Sequence, residues 1–143
     1  MAKHRKLILF STAAIILLAA SAAWLLTPRN CFPSGEEIKT SHVTAYDETG
    51  ELLRLAEVSD LPALNTALKK LQRRECPSLM KAYALKDVAY EVNGLCADIP
   101  FCIVLRKDGT GFIYRPSSSR YTLCHPLVGT ENWIILLDDL TAK

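Results

Sequence analysis

An uncharged run of 20 residues near the amino terminus, LILFSTAAIILLAASAAWLL at positions 7–26, limits what this chain can fold into more than any other feature. A helix needs about 20 predominantly apolar residues to cross the hydrocarbon core of a bilayer. Such a helix also satisfies its backbone polar groups internally. Pro28 follows the run and stops the helix. The run therefore predicts a transmembrane signal-anchor helix at residues 7–26.

The charges that flank this run predict its orientation. Lys3, Arg5 and Lys6 precede it, whereas Arg29 is the lone basic residue close behind it. Positively charged flanks of a transmembrane helix stay on the cytoplasmic side. We therefore expect residues 1–6 to form a cytoplasmic tail at the inner (cytoplasmic) membrane. The chain crosses once, and its carboxy-terminal part is then periplasmic or extracellular.

A cleaved signal peptide is the alternative reading of the same segment. Ala20-Ser21-Ala22 resembles a cleavage site behind a basic and an apolar region. The apolar character resumes after this site with residues 23–26, which favours an uncleaved anchor. Cleavage would secrete the same domain to the same side of the membrane.

Length and charge place the rest of the chain among single small domains. The 143 residues carry a net charge of +2. Their basic residues are scattered, apart from a group at residues 3–6 and a group at residues 69–74 that is interpreted as a solvated helix face and its carboxy-terminal end. This distribution argues against a nucleic-acid binder, because such proteins usually carry a clustered basic patch. Proline, serine and glycine in residues 27–40 predict a linker or a loosely docked arm. An exported domain is then expected at residues 41–143.

The pattern of this domain predicts strands and helices that alternate along the chain. Two hairpins are expected, one from residues 41–46 and 51–58 and one from residues 100–106 and 110–115 around Asp108-Gly109. Further strands are expected from residue 84. The tail at 131–140 is expected to be a helix, with a strand as its alternative. The fold class is therefore α+β, with a mostly antiparallel sheet packed on one or two helices.

The clearest helix is expected at residues 60–74. Its leucines recur at spacings of three and four residues, which places them on one helix face. These leucines are Leu61, Leu64, Leu68 and Leu71. Ser59 or Asp60 can cap the first turn, and Cys76-Pro77 ends the element.

All five cysteines follow the apolar run. They are Cys31, Cys76, Cys96, Cys102 and Cys124. Because exported domains usually fold in an oxidising compartment, one or two disulfides are expected. Cys96 with Cys102 is the favoured pair, since residues 97–100 can loop back onto the following strand. Cys76 with Cys124 is the second pair.

Cys31 is then left unpaired within a segment that is expected to be loose. An odd cysteine in an oxidising space is available for an intermolecular bond. Two anchored copies share a plane, which raises their effective concentration. A homodimer linked through Cys31, or a mixed disulfide with an envelope partner, is therefore predicted.

The cysteines and histidines give little support to a catalytic or metal site. The sequence holds no C-x-x-C pair, so a structural zinc site is not expected. A nucleophilic Cys124 would need His42 or His125 as its base. Neither motifs nor spacing support that arrangement, and no cofactor or metal is predicted.

Aromatic and arginine side chains near the second hairpin form the expected binding surface, because these residue types are enriched at interaction hot spots. The residues are Arg106, Phe112, Tyr114, Arg115, Arg120 and Tyr121. The alternative is that Phe112 and Tyr114 cover one face of the sheet.

The predicted function is a membrane-anchored, non-enzymatic binding or accessory module that acts on another envelope protein. A small exported thiol enzyme or redox protein, using Cys124 or another free cysteine, is the alternative.

Overall fold

The structure, a computed structural model, describes residues 2–47, 49, 51–81, 86–116 and 121–141. Side chains are described from residue 11 onwards, except at 79–81 and 121. The helices in these ranges are α1 (Ala2–Leu26), α2 (Leu61–Lys69) and α3 (Trp133–Thr141). The strands are β1 (Arg29–Asn30), β2 (Ile38–Tyr46), β3 (Leu52–Ala56), β4 (Gln72–Arg73), β5 (Ser78–Lys81), β6 (Val88–Cys96), β7 (Ile99–Arg106), β8 (Gly111–Tyr114) and β9 (Tyr121–Val128).

The described strands form one sheet in the order β1-β4-β9-β8-β7-β6-β2-β3, and β5 also pairs with β9. Every pairing between neighbours in this sheet is antiparallel. The α+β class with a mostly antiparallel sheet is therefore confirmed.

Both predicted hairpins are present. β2 pairs with β3, and β7 pairs with β8. The turn of the second hairpin depends on Gly109, whose φ of +80° is a backbone conformation that residues with a β-carbon rarely adopt. Asp108 Oδ1 accepts a 2.9 Å hydrogen bond from the Thr110 backbone N–H and closes the turn.

Helix α2 begins where the sequence predicts and ends earlier. Asp60 Oδ1 accepts a 2.8 Å hydrogen bond from the Ala63 backbone N–H, as expected of an N-cap. The last turn tightens, because the Lys70 N–H donates to the Ala67 carbonyl three residues back. The chain then enters β4, so the helix does not reach residue 74.

The sheet has two faces with different partners. Face A carries Val92, Ile103 and Ile113 on three neighbouring strands, and helices α2 and α3 cover it with side chains such as Leu68 and Leu137. Face B is the opposite face. Its buried cluster consists of Val88, Cys102, Val104, Phe112 and Cys124.

The predicted tail helix is confirmed as α3. Its Asp138 Oδ1 accepts a hydrogen bond from the Tyr90 hydroxyl on β6. Its carboxy-terminal end also binds the loop before α2, because the Ser59 backbone N–H and hydroxyl both donate to the Leu140 carbonyl at 2.8 Å. Polar contacts therefore fix the position of α3 beside its apolar packing on face A.

The segment 27–40 differs from the expected loose linker. Within it, β1 pairs with β4, Cys31 and Phe32 are buried, and β2 begins at Ile38. The domain therefore incorporates part of this segment, and the folded part begins before residue 41. As far as the helices are described with their side chains, none is long and apolar enough to cross a membrane.

Candidate functional site

A cavity of about 660 Å³ lies at one end of face A, between the sheet and the arm formed by residues 31–36. Small-molecule sites in proteins typically measure about 300–1,000 Å³. Side chains from the arm and from β4, β6, β7, β8 and β9 surround the space. They include Cys31, Phe32, Pro33, Glu36, Arg73, Cys96, Ile99, Phe101, Ile113, Arg115, Leu123 and His125.

The arm forms a wall of the cavity because two aromatic rings fix it in place. The rings of Phe32 and Phe101 meet edge to face, with centroids 4.8 Å apart. Phe101 lies directly opposite Gly94 on β6. A β-carbon at position 94 would come within 2.7 Å of Phe101 Cζ and 2.6 Å of the Lys39 carbonyl oxygen. Glycine at this position therefore leaves the room that the Phe101 ring occupies.

Two arginines and a histidine also line the cavity. Arg73 Nη2 lies 3.2 Å from Glu75 Oε1, and His125 Nδ1 lies 3.9 Å from the other oxygen of the same carboxylate. Arg115 is exposed, and no carboxylate of the described residues lies within ion-pair distance of it. The guanidinium of Arg115 can therefore donate hydrogen bonds to a ligand in the cavity.

The thiols in the cavity add to its apolar lining. Burial raises the pKa of Cys31 to about 12, although the nearby Arg73 acts in the opposite direction. Burial also raises the pKa of Cys96. Both groups are thiols at neutral pH and are poor nucleophiles, because the thiolate is the reactive form.

Face B carries a network centred on Glu91. Its carboxylate accepts hydrogen bonds from the Tyr46 hydroxyl at 2.8 Å, the Asn93 amide at 3.0 Å and the Cys102 thiol at 3.2 Å. Burial acts to raise the pKa of Glu91, but these three donors outweigh it and hold the pKa below its ordinary value. The network therefore keeps an ionised carboxylate within the sheet.

The register aligns this network with a row of side chains across the sheet. His42, Asn93, Cys102, Tyr114 and Cys124 lie opposite one another on β2, β6, β7, β8 and β9 in turn. Burial raises the pKa of Cys102, so this group stays protonated and donates to Glu91. Hydrogen bonds to Glu91 link β6 with β2 through Tyr46 and with β7 through Cys102.

The expected aromatic–arginine surface is only partly assembled. Arg106 lies over the Phe112 ring at 5.5 Å on face B, where Phe112 is buried and Tyr114 packs against the same cluster. Tyr114 and Arg115 also line the cavity. Of the remaining two residues, Arg120 lies outside the described part of the chain, and Tyr121 is described only by its backbone in β9.

The structure does not bring the favoured cysteine pair together. All five cysteines are free. Cys96 lies opposite Ile99, and Cys102 lies opposite Asn93, three residues further along the hairpin. Their side chains also belong to different faces, because Cys96 packs in the face A cluster and Cys102 in the face B cluster. The prediction of a Cys96–Cys102 disulfide is therefore wrong in this structure, because two thiols on opposite faces of the sheet cannot form a bond.

The other cysteine expectations have different outcomes. Cys76 is exposed between β4 and β5, and both strands pair with β9, the strand that carries Cys124. No bond joins these two residues in the structure. Cys31 is buried, and its backbone N–H donates to the Leu71 carbonyl at 2.9 Å. The homodimer through Cys31 stays a prediction, and it would require the arm to detach.

Neither histidine is placed to activate Cys124. Cys124 belongs to face B, whereas its neighbour His125 lies opposite Ile113 and lines the cavity on face A. His42 lies on β2, and strands β6, β7 and β8 separate it from β9. Burial raises the pKa of Cys124. Among the described residues, no cluster of three or more histidine, cysteine, aspartate or glutamate side chains could hold a metal ion.

The strand β3 was predicted, but its exposed leucine surface at the edge of the sheet was not. Leu52, Leu53 and Leu55 are 60–69% exposed, and β3 pairs only with β2 in the described sheet. The adjacent leucines at 52 and 53 break the apolar–polar alternation expected of a half-buried strand. That break was the available signal for this surface.

Comparison of the chain with protein-family models, with curated proteins and with solved structures gives no match. The cavity, the edge of β3 and the apolar surface of α1 are therefore the features from which a function can be inferred.

Proposed function

We propose that this protein is a membrane-anchored, non-enzymatic binding module that acts on another protein of the cell envelope. Residues 7–26 are the anchor, in the inner (cytoplasmic) membrane. The domain that follows is periplasmic or extracellular. Secretion after signal cleavage is the alternative localisation, and it leaves the same domain on the same side.

The surface of α1 supports the anchor. Ile15, Ile16, Leu17 and Leu18 are 64–71% exposed. Four consecutive residues cover the whole circumference of a helix that has 3.6 residues per turn. A helix that is apolar all round is stable only inside a large core or in a membrane. Since the domain does not cover these side chains, the bilayer is the environment that suits them.

The exposed leucines on the edge of β3 carry the proposal of a protein partner. The outer edge of this strand presents backbone N–H and C=O groups that no described strand pairs with. Soluble proteins usually protect such edges with charges or proline. The sequence of β3, LLRLA, offers one charge among three leucines. This combination suits an extended segment of a partner that adds to the sheet as a strand.

Burial of leucine supplies the affinity in this mode of binding. The added strand makes backbone hydrogen bonds with β3. Its apolar side chains cover Leu53 and Leu55, which point to the same side of the strand. Burying one leucine side chain contributes roughly 1.5–3 kcal/mol, which offsets part of the free energy that association costs. The partner is therefore an envelope protein with an accessible extended segment that carries alternating apolar residues.

The thiol-enzyme alternative is less well supported. A nucleophilic cysteine needs a thiolate and a base within hydrogen-bond reach. Burial raises the pKa of Cys31, Cys96, Cys102 and Cys124. A thiol that stays protonated and has no base within reach is suited to a packing role in the core and not to nucleophilic catalysis.

A reporter fusion tests the topology. Alkaline phosphatase is active only outside the cytoplasm, so a fusion after Lys143 is expected to be active. A cytoplasmic reporter at the same position is expected to be inactive. The opposite pattern would contradict the anchor orientation. An active enzyme in the culture medium or soluble fraction would select signal cleavage instead.

Site-specific photocrosslinking in cells tests the protein partner. A photoreactive amino acid in place of Leu53 is expected to give one discrete adduct, and Leu55→Lys in the same chain is expected to abolish it. The matched control carries the photoreactive residue at Glu131, which is exposed and lies outside β3. Absence of an adduct from position 53, or equal adducts from both positions, would contradict binding at this edge.

A further inference from the structure

We infer that the cavity on face A binds an amphiphile, a ligand with an apolar chain that ends in an anionic carboxylate or phosphate. The inference rests on the membrane anchor of the proposed function. It does not depend on the partner at β3. The ligand class follows from the lining of the cavity, its charge and its place in the chain.

The lining of the cavity is mainly apolar and in part uncovered. Phe32, Phe101 and Ile113 are buried, whereas Ile99 is 43% exposed and Leu123 is 56% exposed. Apolar surface that faces water in a concave site gains stability when a ligand covers it. The protonated thiols of the cavity lie among these side chains and add no charge. An apolar chain therefore suits this part of the space.

Basic side chains share the cavity with the apolar lining. Arg73, Arg115 and His125 lie on or next to β4, β8 and β9, and the apolar Ile113 and Leu123 lie on β8 and β9 as well. A site that combines apolar side chains with arginines matches a ligand that has both an apolar chain and an anionic group.

Arg115 is the residue best placed to recognise the anionic group. Arg73 already pairs with Glu75, whereas Arg115 has no carboxylate partner among the described residues. A guanidinium binds carboxylate and phosphate through two parallel hydrogen bonds. Glu36 is the acidic side chain in the cavity lining, and it is exposed on the arm. An anion near Arg115 therefore gains a charge-assisted contact.

The position of the arm places the cavity near a supply of amphiphiles. Leu26 ends α1, and Cys31 in the cavity wall follows five positions later. An extended chain spans at most about 3.5 Å per residue, so this wall lies within about 18 Å of the end of the anchor. The cavity is thus held near the membrane surface, where amphiphiles with anionic heads are concentrated.

Photolabelling of the full chain tests the inference. The chain is placed in nanodiscs of phosphatidylcholine. It is exposed either to a fatty acid or to a phosphatidylglycerol that carries a diazirine. The adducts are mapped by mass spectrometry. Adducts are expected on peptides that contain residues 96–101 and 122–125. Excess oleate is expected to suppress them, whereas the uncharged oleyl alcohol is not. Labelling by the fatty acid alone identifies a free acid, and labelling by phosphatidylglycerol identifies a phospholipid; either result supports the ligand class.

Two matched variants make the test specific. Arg115→Gln is expected to reduce labelling about tenfold, because a hydrogen bond to a charged group has roughly this effect on binding. Arg106→Gln is the control, since Arg106 lies over Phe112 on face B, and its labelling is expected to match the unmodified chain. Thermal melting verifies that both variants fold. Equal labelling of the two variants, equal competition by oleyl alcohol, or no cavity adducts would overturn the inference.

The outcome also separates this inference from the proposed function. Cavity labelling combined with an inactive phosphatase fusion would contradict the orientation of the anchor and keep the ligand. An active fusion without cavity labelling would keep the anchor and overturn the ligand.

Discussion

The two faces of the sheet are stabilised by different kinds of contact. On face A, Val92, Ile103 and Ile113 lie opposite one another and are covered by the helices. On face B, the neighbouring row holds Asn93 and Cys102, which donate to the Glu91 carboxylate. Face A is stabilised by the removal of apolar surface from water. Face B depends on polar groups that each have a partner.

The difference separates the source of stability from the source of specificity. Apolar side chains of similar volume can replace one another at moderate cost. A polar group within the sheet is tolerated only when it is bonded, and no buried side-chain nitrogen or oxygen of the described residues lacks a hydrogen-bond partner. A shift of β6 by one residue against β7 would turn Glu91 to the other face, away from Cys102. We therefore expect face A to dominate the stability, and face B to select the register.

The largest effect is expected from a cavity on face A. Leu68→Ala removes a fully buried side chain from α2, and such substitutions cost about 2–5 kcal/mol. The melting temperature of the full chain in detergent should fall by at least about 5 °C. Leu61→Ala is the control in the same helix, because Leu61 is 43% exposed. Similar losses from both variants would mean that the helix itself, and not face A, carries the effect.

A smaller, pH-dependent effect is expected on face B. Glu91→Gln keeps the shape and removes the charge that three donors share, which should cost about 1–3 kcal/mol at neutral pH. Because the folded pKa of Glu91 is lowered, its contribution is present above the ordinary glutamate pKa of about 4.3 and is lost as the pH falls through the folded value.

Chemical denaturation of the full chain at pH 7 and at pH 3 measures this contribution. The difference in stability between Glu91→Gln and the unmodified chain should shrink at the lower pH. Glu51→Gln, at an exposed position in the loop before β3, should behave like the unmodified chain at both values. A difference that does not change with pH would assign the role of Glu91 to packing rather than to charge.

The smallest effect on stability is expected at Cys76, because this residue is exposed. Cys76→Ser should change the free energy of unfolding by less than about 0.5 kcal/mol. In the folded chain without reductant, a maleimide should modify Cys76 first and the four buried cysteines far more slowly. After unfolding, still without reductant, intact-mass analysis should count five modified thiols. A count of three or one would show that disulfides form, and peptide mapping would then identify the pairs.

The sequence predicted the elements whose signals are local. The Asp108-Gly109 turn between two β-rich runs and the leucine spacing of α2 each lie within one short window. β1, β4 and β5 are two to four residues long and depend on pairing with distant strands, so no local periodicity identified them. β9 contains Pro126, which weakened its strand signal.

The candidate sites were harder to predict because their residues are distant in sequence. Phe32, Arg73 and His125 line one cavity only because β4 and β9 are neighbours and the arm folds onto β7. The expected binding surface also grouped Phe112 with Arg115, although residues three positions apart along a strand point to opposite faces, and Phe112 is buried on face B whereas Arg115 lines the cavity. The alternation of faces can be predicted from the sequence alone. The contact between the arm and the sheet cannot, because it depends on how distant segments pack.

The neighbours of β9 determine the order in which this domain can fold. β1 joins the described sheet only through β4, and β4 joins it through β9 at residues 127 and 128. A chain is synthesised from its amino-terminal end, so β1 and β4 are made before β9. Contacts between such distant residues form slowly. Until β9 pairs with β4, the edge that holds the arm is missing, and the Cys31 thiol is open to solvent. The time that β9 takes to join the sheet, as well as the final burial, therefore influences how long the Cys31 thiol can react.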